Sequence, residues 1–282
     1  MTKAPHHRSR TAPRRSRRLW RQGLAPAAVL SACSLLAGCG TASAGTGAAS
    51  PSRSTQEAYA GTWLDLPLPP TVLRLPLTDS TGHATSLTAY PGKVLVINDM
   101  MTLCQETCPL DTANLVAAAQ AVQHAGLGDR VEFLSITVDP ARDTPTQLAA
   151  YRKLFAPAPA DWAVLTGSPA TLAKLWSALG VYYQKVAEGT PAAKNWRTGQ
   201  MLTYDVDHAD QVLFIDPSGH ERTVITGAAH VDPDTPLPAT MRAFMDADGL
   251  ANLQHPAATA WTIQDALDIV GTLVGRAVPL TP

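Results

Sequence analysis

Apolar and other residues alternate along Leu73-Arg74-Leu75-Pro76-Leu77, which predicts a strand, and Asp79-Ser80-Thr81-Gly82 then reads as a turn. Val94-Leu95-Val96-Ile97 is a short, continuously apolar run between Pro91-Gly92 and Asn98-Asp99, the pattern of a strand covered on both faces. From Pro109 to Ala125 the spacing turns helical, with Leu115, Val116, Ala119 and Val122 on one stripe. Val131 to Val138 is the next strand. Thr144-Pro145-Thr146-Gln147 has the form of a capping box, with Thr144 as N-cap and Gln147 reaching back, and opens a helix through Leu154. A strand near Ala163-Val164-Leu165, a helix from about Pro169 to Leu179, and a hairpin from Gln211–Ile215 to Glu221–Val224 around Asp216-Pro217-Ser218-Gly219 follow. Trp261 to Val274 closes the chain as a helix. Strands alternating with helices and ending in a hairpin predict an α/β fold, a mixed central sheet flanked by helices, with an extended C-terminal segment.

The first sixty residues follow a different pattern. Eight basic residues and no acid lie in residues 1–22, before an apolar run from Leu24 to Leu36 of about thirteen residues, too short for a membrane span of roughly 20. Basic, apolar, then small residues is the order of an export signal. Leu36-Ala37-Gly38-Cys39 resembles a bacterial lipobox, in which the cysteine becomes the lipidated N-terminus, and Arg17-Arg18 leaves both the general and the twin-arginine export routes open. Gly40 to Ala60 is Gly-, Ala-, Ser- and Thr-rich, without the apolar surface needed to offset ordering entropy. The expected organisation is a lipoprotein signal peptide (1–38), a flexible tether (39–60) and one folded domain (61–282), anchored to the outer face of the cytoplasmic membrane. Losing residues 1–38 takes eight basic residues and no acid from totals of 22 and 23, leaving 14 basic against 23 acidic residues, a net −9. Such an acidic domain is a poor partner for nucleic acid.

Composition leaves one concentrated piece of chemistry. The chain has four cysteines, Cys33 in the leader, Cys39 at its cleavage point, and Cys104 and Cys108 in the folded part. Cys104 and Cys108 fall just after the buried strand, where the chain turns into a helix whose N-terminal dipole favours thiolate. A spacing of four puts both sulfurs on one helical face. Two soft sulfurs joined by an imidazole suit copper. A Cys104–Cys108 disulfide would close a very small loop and stabilise little. A redox pair usually has two intervening residues rather than three, and structural zinc wants four protein ligands. Spacing alone leaves copper and redox chemistry both open.

Four ordered motifs narrow the choice. Cys104-x-x-x-Cys108-Pro109, Ser135-Ile136-Thr137-Val138-Asp139-Pro140-Ala141-Arg142-Asp143-Thr144-Pro145, Leu165-Thr166-Gly167 and Tyr204-Asp205-Val206-Asp207-His208 together resemble the SCO/SenC family over roughly Leu73 to Thr226. These are thioredoxin-fold copper chaperones that help assemble the copper centre of cytochrome c oxidase. The resemblance implies Cys104, Cys108 and His208 as copper ligands; spacing alone does not choose His208 over His83, His124, His220, His230 or His255. It also implies an apo-cuproprotein client such as oxidase subunit II and an upstream periplasmic-type copper donor, with no catalytic residue assigned beyond a Cys104–Cys108 redox pair under the rival reading. His208 lies just before the strand at Gln211, so a loop can carry it to the helix start, and Asp207 and Tyr204 are candidates to orient its ring. Asp139, Arg142 and Asp143 are read as capping and bracing residues.

The departures leave the client open. Asn98-Asp99-Met100-Met101-Thr102-Leu103 replaces the family's aromatic-Gly-aromatic-Thr approach, and Gln105 stands where Pro is common, although Glu106 keeps the acidic position. Met100 and Met101 are expected to pack in the core and fill a gap, with a thioether contact to passing Cu(I) as the other possibility. The segment 187–202 and the tail beyond Ala228 are longer than the common pattern. The rival function is a membrane-tethered thiol–disulfide oxidoreductase in which Cys104 and Cys108 reduce client cysteines.

Overall fold

The computed structural model describes residues 61–280. Its strands are β1 (Thr62–Pro67), β2 (Leu77–Asp79), β3 (Ala84–Thr85), β4 (Val94–Met100), β5 (Val131–Thr137), β6 (Trp162–Gly167), β7 (Tyr183–Val186), β8 (Asp205–His208), β9 (Gln211–Ile215) and β10 (His220–Thr226). Its helices are α1 (Pro70–Leu73), α2 (Cys108–His124), α3 (Pro145–Leu154), α4 (Pro169–Ala178), α5 (Ala239–Phe244), α6 (Ala247–Gln254) and α7 (Ile263–Val274). Eight strands form one mixed sheet in the order β1-β10-β9-β4-β5-β6-β2-β3, and β7 pairs with β8 in a separate two-stranded ribbon.

The sheet's centre follows from its apolar runs. β4, β5 and β6 are parallel neighbours, and every residue of β4 and β5 is buried, as strands covered on both faces must be. β4 leads through α2 into β5, while β9 returns antiparallel to β4 and β10 antiparallel to β9. A βαβ unit joined to a ββα unit, closed by α7 packing on α2, is a thioredoxin-like core. The carboxyl end of β4, where the parallel ladder stops and α2 begins, is therefore the place this topology offers to a site. Among the described residues no helix is long and apolar enough to cross a membrane.

Several local expectations need correction. Leu73–Leu77 is not a strand: Pro70 occupies the first turn of α1, which ends at Leu73, and pairing starts only at Leu77. β4 runs three residues past Ile97, because Asn98, Asp99 and Met100 continue the ladder opposite Ser135, Ile136 and Thr137. Thr144 does cap α3, accepting from the Gln147 N–H, but Gln147 does not reach back. Its amide donates to the Thr102 hydroxyl and accepts from Arg197 instead, so half of the capping box is spent on a tertiary contact. α7 carries a complete box between Thr262 and Asp265. β7, β8, α5 and α6 were not anticipated; they lie in the segments longer than the family pattern or beside them. The leader, the tether and Cys39 lie outside the described residues.

Candidate metal centre

The chain leaves β4 at Met100, turns through residues 101–107 and enters α2 at Cys108, with Pro109 in the first turn where its missing N–H costs nothing. The turn is braced from below. Asp143 accepts from the Thr102 N–H and hydroxyl and from the Thr137 hydroxyl, tying the turn to the end of β5. Trp196, from the long segment 187–202, donates to the Thr102 carbonyl at 2.7 Å. Both cysteines are buried and free, Cys104 the more accessible at 6 % exposure.

His208 comes from the last position of β8. Its Nε2 stands 3.3 Å from the Cys108 Sγ, and the ligand atoms of Cys104, Cys108 and His208 all lie within 4.8 Å of one another. Among the described residues no other three His, Cys, Asp or Glu side chains converge in this way. Cys104 and His208 line a cleft of about 340 Å3, bounded by Met101 and the Cys104–Thr107 turn on one side, the β7–β8 ribbon on another, and Asp246, with Cys108 buried behind them.

Asp99 orients His208. Its carboxylate lies 2.7 Å from Nδ1 and accepts the N–H groups of Asp210 and Gln211. With Nδ1–H given to Asp99, the remaining ring nitrogen faces the sulfurs. Neither residue proposed from sequence holds this role. Asp207 is exposed, because neighbouring residues of a strand point to opposite faces, and the Tyr204 hydroxyl donates to Asp139 at 2.8 Å. Tyr204 braces the ribbon: its ring lies between Arg142 (3.9 Å to the centroid) and Lys185 (3.5 Å), and its carbonyl accepts from Arg142. Arg142 also pairs with Asp139 and approaches the Met101 sulfur at 3.8 Å, so Asp139, Arg142 and Asp143 all brace. Met100 is wholly buried, and Met101 lines the cleft with its sulfur against Arg142. Asp99 was hidden in the sequence because Asn98-Asp99 read as the end of a strand.

Proton affinities divide the pair. The hydrogen bond from Cys108 holds the Cys104 thiol well below its ordinary range against its burial, and His208 adds to the effect. Burial, followed by the neighbouring Cys104 sulfur, pushes Cys108 well up. Burial alone would lower His208, but the Asp99 hydrogen bond and Cys104 outweigh it and raise the imidazole. Burial, with Cys104 and nearby carboxylates, pushes Glu106 up to about 7. Cys104 is thus the sulfur that gives up its proton most readily, while Cys108 and His208 hold theirs more tightly, a ligand set that binds an ion on losing its protons.

The model of the SCO1/SenC family matches residues 71–246. The protein sco1 of Schizosaccharomyces pombe is 29% identical over 143 residues, covering 51% of this chain and 50% of its own. A putative copper-binding protein of Stutzerimonas stutzeri is 25% identical over 167 residues, covering 59% of this chain and 74% of its own. The chain thus spans half the length of the first of these relatives. A SCO1/SenC family lipoprotein from Bacillus anthracis aligns over 65% of this chain and 95% of its own, with 25% identity and a TM-score of 0.45. Because the matched segment takes in the cysteine turn, the bracing residues and His208, and more than half of the whole chain, the protein belongs to the SCO1/SenC family.

Proposed function

We propose that this protein is a copper metallochaperone. Cys104 and Cys108 as thiolates and neutral His208 hold the ion and pass it by ligand exchange to an exported cuproprotein, with the copper centre of cytochrome c oxidase subunit II as the leading client. The convergence of two sulfurs and one imidazole nitrogen within 4.8 Å carries the reading. Sulfurs about 2.3 Å from a metal stand roughly 4 Å apart in a three-coordinate site, a separation inside the 4.8 Å within which these ligand atoms lie. Three ligands on one side leave a face open to an incoming donor or client, which transfer requires. Loading displaces the protons on Cys108 and His208, so uptake strengthens as pH rises. Cys39, as the lipidated N-terminus, would hold the domain at the outer face of the cytoplasmic membrane, within reach of a membrane-bound client and an exported copper donor.

The test is copper transfer. The reduced protein, loaded with one equivalent, is mixed with an apo-subunit II copper domain, and its thiolate-to-Cu(II) absorption is followed. The reading expects transfer from wild type and an altered band in His208→Ala. A wild-type protein with no such band would end it.

The sulfur pair also favours a second reading, because Cys104 is disposed to be thiolate beside a Cys108 thiol. The Cys104 thiolate would attack a client disulfide, and Cys108 would then resolve the mixed disulfide. The client gains two thiols, and this chain is left with a Cys104–Cys108 bond. Cys108→Ser would trap the mixed disulfide; a variant that traps no client removes this reading.

A further inference from the structure

The family match ends at residue 246, and α6 begins at Ala247. At that point the extension touches the metal turn. The Asp246 N–H donates to the Gln105 carbonyl at 3.1 Å, and the Asp246 carboxylate caps α6 by accepting from the Gly249 N–H at 2.8 Å. Gly249 is buried against the turn: a Cβ there would stand 2.1 Å from the Gln105 carbonyl oxygen and 3.0 Å from the Glu106 Cα. Its backbone lies outside the left-handed region, so conformation does not demand glycine. Alanine favours a helix over glycine. The close approach explains the residue.

The extension is firmly mounted elsewhere. Buried Asp111, in the first turn of α2, accepts the Ala229 N–H and the Trp261 indole N–H. Asn114 donates to the His230 carbonyl, and Trp261 is fully buried. One segment therefore grips the helix that begins with Cys108 and presses on the turn that carries Cys104.

We propose that this C-terminal segment is a working part of the metal centre: Gly249 and the Asp246 N–H hold the 104–107 turn so that both sulfurs face His208. Gly249 is thus a positioning residue. The inference rests on the copper reading only for its consequence, since the contact itself exists without metal.

Gly249→Ala tests it, with Ala251→Ser on an exposed position of α6 as control. In the metal-free protein, hydrogen exchange of residues 104–107 is expected to speed several-fold in Gly249→Ala alone. Copper affinity is expected to fall about tenfold with a shifted thiolate-to-Cu(II) band. A raised melting temperature with unchanged turn exchange and an unchanged band, the ordinary result of alanine replacing glycine within a helix, overturns the proposal. If Gly249→Ala does not fold, Asp246→Pro, which removes the donor to Gln105, is read by the same exchange measurement, and slow exchange there also overturns it. Wild-type protein that binds no copper ends the chaperone reading, while turn exchange in the metal-free variants still decides this one.

Discussion

The cysteine wall of the cleft rests on packed core: β4 and the first turns of α2 are buried, Leu110, Leu115 and Phe133 are closed to water, and only the rim of the turn at Glu106 is exposed. The histidine wall is a ribbon of two four-residue strands, largely exposed along β7, and held by polar contacts from Asp99, Arg142 and Tyr204. Packing together with buried braces such as Asp143 fixes the sulfurs, whereas the imidazole on the exposed ribbon is aimed by hydrogen bonds. A pair of strands this short is marginal by itself, so the ribbon depends on those tethers. Such a division suits a carrier, because the ligand on the weaker wall can leave first while the thiolates keep the ion.

Removing a sulfur should do most to break this comparison. Cys108→Ala is expected to abolish stoichiometric copper binding, measured by competition with a chelator, while leaving the melting temperature near that of wild type. Retention of wild-type affinity would mean that the cysteine wall is not the ligand wall. Asp99→Asn comes next, because an amide still fills the site but no longer carries charge for Nδ1–H. Partners of this kind are worth about 10–100-fold in affinity. The same titration should show that loss in Asp99→Asn and almost none in Asp207→Asn, whose side chain is exposed.

Arg142→Ala is expected to cost less, around tenfold or below, because it loosens the ribbon without touching a ligand. Its effect should shrink in a His208→Ala background, where there is no imidazole left to place. Equal effects in both backgrounds would assign Arg142 to general stability and remove the tether argument.

Burial on the cysteine wall was legible because it is local. The apolar runs of β4 and β5, the stripe of α2 and the Thr144 cap are written in consecutive residues. What aims His208 is not local. Asp99 is 109 positions from it, and its signal was masked by a polar dipeptide that resembles a strand end but extends the strand. Tyr204 and Asp207 were plausible by adjacency, yet strand alternation turns Asp207 away and the Asp139–Arg142 pair engages Tyr204. The contact between Gly249 and Gln105 links segments about one hundred and forty residues apart through a missing Cβ, which leaves no local pattern at all.

The last contrast separates the walls by pH. Burial pushes Asp143 up to about 6 despite the donors from Thr102 and Thr137, whereas an unfolded carboxyl titrates near 3.9. Between those values the folded state holds more protons than the unfolded one. Asp143 therefore makes stability fall as pH rises through that window, by about 2–3 kcal/mol at most, with no further change above it. Replacing it in Asp143→Asn should flatten this part of the curve, so the advantage of wild type over the variant, measured by urea unfolding of metal-free protein, narrows from pH 4 to pH 6.5. Parallel curves would show that the carboxylate under the cysteine turn is as well served ionised as neutral. In that case the turn, like the ribbon, would be held by charge, and the contrast between a packed wall and a tethered one would fail at Thr102.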